Sequence, residues 1–250
     1  MLFTGFAITT TGNVLVLIDD RCQRVWKRET VNSIERLEQY LSEDEISRPR
    51  TAEEFVCWVD GKHVLLRERR FTLNKQKLVH QGIAKKFYEE VLPLHCLLKN
   101  KAQDWCEERF KPVFGNQNYD VEIQTGRTDV PQFIEITIAD MDKEENDRMQ
   151  HLLAHGSVAE ISQNVAERIK ERIIKKMSVI KRPDHTALLI YFDDYTDFSY
   201  HREASKREMD VVLDSIDTPW GDRYAALYVV GASGQSLWQR TSARVNISPQ

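Results

Sequence analysis

Residues 119–139 read YDVEIQTGRTDVPQFIEITIA, two short runs of alternating residues separated by a polar, glycine-containing turn. In a strand, successive side chains point to opposite faces. The alternation therefore places Asp120 and Glu122 on one face of the first strand and Glu135 and Thr137 on one face of the second. A carboxylate on a largely buried strand costs about 2–7 kcal/mol, and more when ionised, unless a cation or hydrogen-bond donors compensate it. Adjacent strands that bring Asp120 or Glu122 against Glu135 would create a site for a divalent cation.

The flanking segments supply the rest of an α/β fold. The wheel of the stretch 158–180, at about 100° per residue, gathers Val158, Ile161, Val165, Ala166, Ile169, Ile173, Met177 and Ile180 into one apolar stripe. Lys176 falls inside that stripe and Lys175 outside it. The inward lysine either snorkels to water along the core or carries its amine to the carboxylates. Ala187–Phe192 and Ala225–Val230 are continuous apolar runs, as expected of central strands covered on both faces. Residues 203–216 read as a helix between them, and Ser236–Arg240 as a strand that pairs back after the turn Gly231–Gly234. Upstream, helical spacing runs from about Gln81 through Phe87, Val91, Leu94, Leu97 and Leu98 toward Trp105 and Phe110, with Pro93 expected to divide it into two helices. A polar helix is expected over 144–155, stopped by Gly156.

The first 80 residues read as a small β-rich N-terminal unit, with 81–250 as the main domain. Strands over 3–10 and 13–19 flank Thr11-Gly12-Asn13, 21–26 adds another, and 31–41 has helical spacing. Ser42–Thr51 reads as a loop. Phe55–Val59, Asp60-Gly61 and His63–Leu66 give a second hairpin signal.

Composition narrows the function. The chain has 250 residues, a net charge of −4, 41% apolar and 30% charged residues, which is ordinary for a globular protein. No apolar run approaches the roughly 20 residues of a membrane span, and the N-terminus lacks the basic start of a signal peptide. Cys22, Cys57, Cys96 and Cys106 show no Cys-x-x-Cys spacing, so free thiols in a reducing cytoplasm are expected. The net charge argues against a general polyanion binder. Between Lys62 and Lys86, however, eight lysines and arginines meet the single acid Glu68, a local excess able to hold phosphates or simply to face solvent.

The acid on one strand, the glutamate fifteen residues later in Phe133–Ile138, and the order of helices and strands together resemble the core of the PD-(D/E)xK nuclease superfamily over roughly Ala84 to Trp238. This implies a restriction-endonuclease-like mixed sheet flanked by helices. It further implies metal ligation by Asp120, Glu122 and Glu135, with Mg2+ or Mn2+ as the ion, and hydrolysis of phosphodiester bonds in DNA or RNA, in host defence or a mobile element. Nucleic acid, DNA before RNA, is the implied partner, and a homodimer is compatible. The family has lysine two residues after its glutamate, where this chain has Thr137. Some members supply that lysine from a neighbouring helix, and Lys176 is its candidate here, so the implied catalytic set is Asp120, Glu135, Thr137 and Lys176. Glu107 or Glu108 would be a further ligand. The Ile-Glu-Ile-Thr run, with Arg148-Met149, Leu152-Leu153 and Lys175-Lys176, is also similar to a group of uncharacterised bacterial proteins of this fold.

Other readings compete. A nuclease-like module without catalysis would bind nucleic acid or a protein, which Thr137 favours. In an unrelated α/β protein, Glu135 would simply be ion-paired to Arg127 or Lys176. His151 and His155 have a metal-compatible i,i+4 spacing but lack the glutamate of a metalloprotease motif. Asp193, Asp194 and Asp197 form an acidic loop at a strand end.

Overall fold

The computed structural model describes residues 40–68, 82–115, 117–139, 165–178, 183–192, 197–216 and 223–241. All of them belong to one compact unit formed from 36–142 and 161–250. In chain order the elements are α1 (Glu43–Ile46), β1 (Arg50–Thr51), α2 (Ala52–Glu68), α3 (Gly82–Lys86), a π-helical turn (Phe87–Val91), α4 (Leu92–Lys101), β2 (Arg109–Pro112), β3 (Val121–Gln124), β4 (Phe133–Ile138), α5 (Val165–Met177), β5 (Thr186–Phe192), α6 (Asp197–Asp214), β6 (Ala226–Gly231) and β7 (Leu237–Thr241).

The strands lie in sequence order across one seven-stranded sheet. From β1 to β4 each neighbour is antiparallel; short connections join β2 to β3 and β3 to β4, whereas α2 to α4 lie between β1 and β2. β4, β5 and β6 are parallel, which requires a crossover between each pair; α5 lies in the first connection and α6 in the second. β7 returns antiparallel to β6 through a turn in which the Gly231 N–H donates to Ser236 O and the Gly234 N–H to Gly231 O. The expectation of an α/β mixed sheet flanked by helices is met.

Period-two alternation sorts the central strands between two cores. Ile134, Ile136, Ala187, Leu189, Ala226, Tyr228 and Val230 join Phe55, Val59, Phe87, Val91, Leu94 and Leu97 from α2 to α4. Leu188, Ile190, Phe192, Leu227 and Val229 join Val165, Ile169, Ile173 and Met177 of α5 and Met209, Val212 and Leu213 of α6. β5 and β6 are buried on both faces, which explains their unbroken apolar sequence. On α5 the buried residues are Val165, Ala166, Ile169, Ile173 and Met177, the expected stripe.

Three sequence expectations need correction. The second hairpin is instead the helix α2. Thr51 and Glu54 form a capping box at its start: the Thr51 N–H donates to Glu54 Oε2 at 2.9 Å and the Glu54 N–H to Thr51 Oγ1 at 3.2 Å. The apolar face of Ala52, Phe55 and Val59 then enters the core, and Asp60-Gly61 continues the helix instead of turning. Phe55 and Val59 share a cluster with Phe87 and Leu94, so this core is not bounded at residue 80, and β1 belongs to the main sheet. Second, Pro93 breaks nothing. Helical backbone continues from α3 through the π-helical turn into α4, and the wider turn, in which Leu92 N–H donates to Phe87 O, immediately precedes the proline, which has no N–H to donate. Third, Phe110 lies on β2, because the helix ends at Lys101. The strands expected over 3–26, most of the helix over 31–41, the polar helix at 144–155 with His151 and His155, and the loop residues Asp193 and Asp194 lie outside the described residues.

Candidate active site

β4 carries Glu135 between Ile134 and Ile136. Those two face the α2–α4 core, so alternation turns Glu135 toward α5. The residue is 9% exposed, and its charge is compensated from two directions. Lys176, in the last turn of α5, places its Nζ 2.8 Å from Glu135 Oε1. Tyr224, just ahead of β6, donates its hydroxyl to Glu135 Oε2 at 2.7 Å. The inward-facing lysine thus reaches the glutamate, with its own side chain still 30% exposed.

Asp120 immediately precedes β3. Its N–H donates to Ile134 O, and its carbonyl accepts from Val113 N. Its Oδ2 accepts the Ile136 N–H at 2.7 Å, beyond the paired positions of β3 and β4. One carboxylate therefore binds the backbone of the residue that follows Glu135. Burial pushes the Asp120 carboxyl above its ordinary range. The Ile136 N–H and the charges of Lys86 and Lys176 pull it down, and Glu135 adds to the rise.

Two further charged residues belong here that the sequence reading did not assign to the site. Glu90, on the π-helical turn, is pushed up to about 7, chiefly by burial and next by the negative charge of Asp120; Lys86 opposes the rise. Lys86 is 8% exposed. Its amine contacts the Glu90 carboxylate, donates to Val113 O and lies over the Phe114 ring. Within α3 and the turn, Lys86 and Glu90 look like an ordinary i,i+4 pair. Only the fold sets them beside Asp120. π-helical turns often occur at functional sites, but no local sequence signal marks this one. Tyr224 carries no motif at all.

The other expected participants have their own contacts. The Glu122 carboxylate is 3.3 Å from Lys111, its neighbour across the β2–β3 pair, and half-exposed. Glu108 is buried, 3.7 Å from Arg127 and 3.4 Å from Thr125 Oγ1. Arg127 is engaged by Asp129 at 2.6 Å and by Asp104 O, so the cation on Glu135 is Lys176. Thr137 lies on β4 opposite Ile190, two residues beyond Glu135. The basic run is countered at both ends: Lys62 meets Glu45 at 2.6 Å, Lys85 meets Glu89, and Lys86 meets Glu90. Its middle, 69–81, lies outside the described residues. Cys57, Cys96 and Cys106 are free thiols.

Among the described residues no group of three or more His, Cys, Asp or Glu side chains is gathered to hold a metal. The donors that do converge suit a hard divalent cation. They are carboxylate oxygens; burial is the first cause of the raised proton affinities of Asp120 and Glu90, with the charge of Glu135 adding to the former and that of Asp120 to the latter. Mg2+ in particular is commonly held by one or two carboxylates together with water and substrate phosphate, so Asp120 and Glu135 match its needs without Glu122. Among the described residues no helix is long and apolar enough to cross a membrane. No family model matches the sequence, and neither a curated protein nor a solved structure matches the chain significantly.

Proposed function

We propose that this chain is a divalent-cation-dependent nuclease of the PD-(D/E)xK kind. The observation that carries the reading is the delivery of Lys176 from α5 onto Glu135, beside Asp120. The resemblance calls for a lysine next to this glutamate, and Thr137 leaves its usual position without one. The antiparallel strands that precede Glu135 and the helical crossover that follows it support a restriction-endonuclease-like arrangement.

Asp120 and Glu135 would hold Mg2+ or Mn2+, which supplies Lewis acidity toward a phosphate oxygen and lowers the pKa of coordinated water. Lys176 remains partly exposed, so its ammonium can turn from Glu135 to an arriving phosphate and stabilise the negative charge that grows on it. Donors set in advance for such charge contribute about 2.7–4 kcal/mol. Ile136 N–H keeps the Asp120 carboxylate in one orientation throughout. DNA is the preferred substrate class, RNA the second, and the free thiols suit a reducing cytoplasm.

A second reading, a nuclease-like module that binds nucleic acid or a protein without cutting, is favoured by one specific feature. Both Glu135 oxygens already have protein donors, so this carboxylate is satisfied without metal. Incubating purified protein with DNA or RNA and Mg2+ or Mn2+ separates the two. The nuclease cuts, and Glu135→Ala abolishes cutting while the circular dichroism spectrum is retained. Cutting that persists in Glu135→Ala removes this site from the activity. Salt-sensitive binding with no divalent requirement and no cleavage establishes the second reading.

A further inference from the structure

Glu135 is held by two donors of different character. Lys176 reaches it from a helix and is 30% exposed. Tyr224 is 2% exposed and anchored beside β6, whose preceding residue Ala225 donates its N–H to Thr186 O at 2.8 Å. Across the sheet the register runs from Glu135 to Leu188 and on to Leu227. The tyrosine therefore spans the width of β5 to set its hydroxyl 2.7 Å from Oε2. Its ring is enclosed with Leu227, Val229 and the α5 and α6 side chains.

We infer that Tyr224 is a positioning residue of the site. It fixes the Glu135 carboxylate through Oε2, leaving Oε1, on the partly exposed lysine side, as the oxygen offered to a divalent cation. Each carboxylate oxygen has two lone-pair directions, so the phenol can hold Oε2 without preventing ligation. A neutral donor suits this role better than a second cation, because it orients the carboxylate and leaves its negative charge for the ion. Lys176 is the arm that can leave when a cation or phosphate arrives, whereas Tyr224 is enclosed and stays. In its metal readout this assignment deepens the function proposed above and rests on it. Partners that orient a metal ligand from behind typically contribute 10–100-fold in metal affinity.

The test replaces only the hydroxyl. Tyr224→Phe keeps the ring in its enclosure, and Val229→Ala, a fully buried neighbour on β6, serves as a variant with purely structural damage. Mn2+ binding is followed by electron paramagnetic resonance on folded full-length protein, and crystal structures of wild type and Tyr224→Phe locate the Glu135 carboxylate. The expected result is a 10–100-fold weaker Mn2+ dissociation constant in Tyr224→Phe, a wild-type constant in Val229→Ala, and a displaced or split Glu135 side chain. An unmoved Glu135 together with an unchanged Mn2+ constant overturns the assignment. Equal weakening in both variants does so as well, because it makes the effect one of general stability. If wild type binds no Mn2+, the metal reading fails. The crystallographic comparison then decides the anchor by itself, a displaced Glu135 supporting it and an unmoved one removing it.

Discussion

Replacing Lys176 by methionine keeps an unbranched side chain beside the stripe of α5 but removes the ammonium 2.8 Å from Glu135 Oε1. At that separation and an effective dielectric of about 20, the attraction is about 6 kcal/mol. Desolvating the two ions takes several kcal/mol of it back. For a fully buried pair, removing one partner costs about 3–5 kcal/mol. Because the lysine here is 30% exposed and water already screens it, the expected loss is about 2 kcal/mol. That is a fall in Tm of about 4–8 °C for a chain of this size. The assay is urea unfolding by circular dichroism at pH 7 in EDTA. A second series in saturating Mg2+ is expected to show a smaller loss, since a bound cation would replace the missing charge. Glu135→Gln/Lys176→Met should recover most of the loss, because the neutral amide no longer requires a cation. If Lys176→Met is as stable as wild type in EDTA, the claim that Lys176 compensates the charge of Glu135 is wrong. On the proposed function, the same variant loses about 100–1,000-fold in cleavage rate.

Two further perturbations probe the surroundings. The Glu90 carboxyl is raised from 4.5 to about 7 in the folded protein, so between these values the folded state binds more protons than the unfolded one. Its contribution to stability is therefore full in acid and is lost as pH rises toward about 7, by about 3 kcal/mol in total. Glu90→Gln should flatten that slope in urea midpoints taken across this range, and a wild-type slope of opposite sign for this residue refutes the assignment. Thr51→Ala removes the hydroxyl of the capping box on α2 and should cost about 1 kcal/mol, read as a lower urea midpoint with unchanged slope. A cost near zero would mean that tertiary packing alone fixes the start of that helix.

The sequence disclosed most where one face of an element is uniformly apolar. β5 and β6, covered on both sides, announced themselves as apolar runs. The stripe of α5 was regular enough that Lys176 stood out as a cation on the wrong face, and it meets Glu135. The fifteen-residue spacing of Asp120 and Glu135 was equally visible, although alternation alone also admitted Glu122, which Lys111 engages across the sheet. Competing local signals hid the rest. In α2, Asp60-Gly61 between apolar runs imitates a hairpin turn, but Thr51 followed three residues later by Glu54 was a helix-start signal already present in the chain. Glu90 and Tyr224 gave no such warning. One looks like a surface partner of Lys86 and the other like any strand-edge aromatic, and both become site residues through contacts between elements distant in sequence.

Calorimetric titration of the purified chain with Mn2+ probes the proposed divalent-cation site of Asp120 and Glu135. The expected result is saturable binding in wild type that is lost in both Asp120→Asn and Glu135→Gln, with each variant still folded by circular dichroism. Wild-type protein that takes up no Mn2+, or variants that bind it as wild type does, would contradict it.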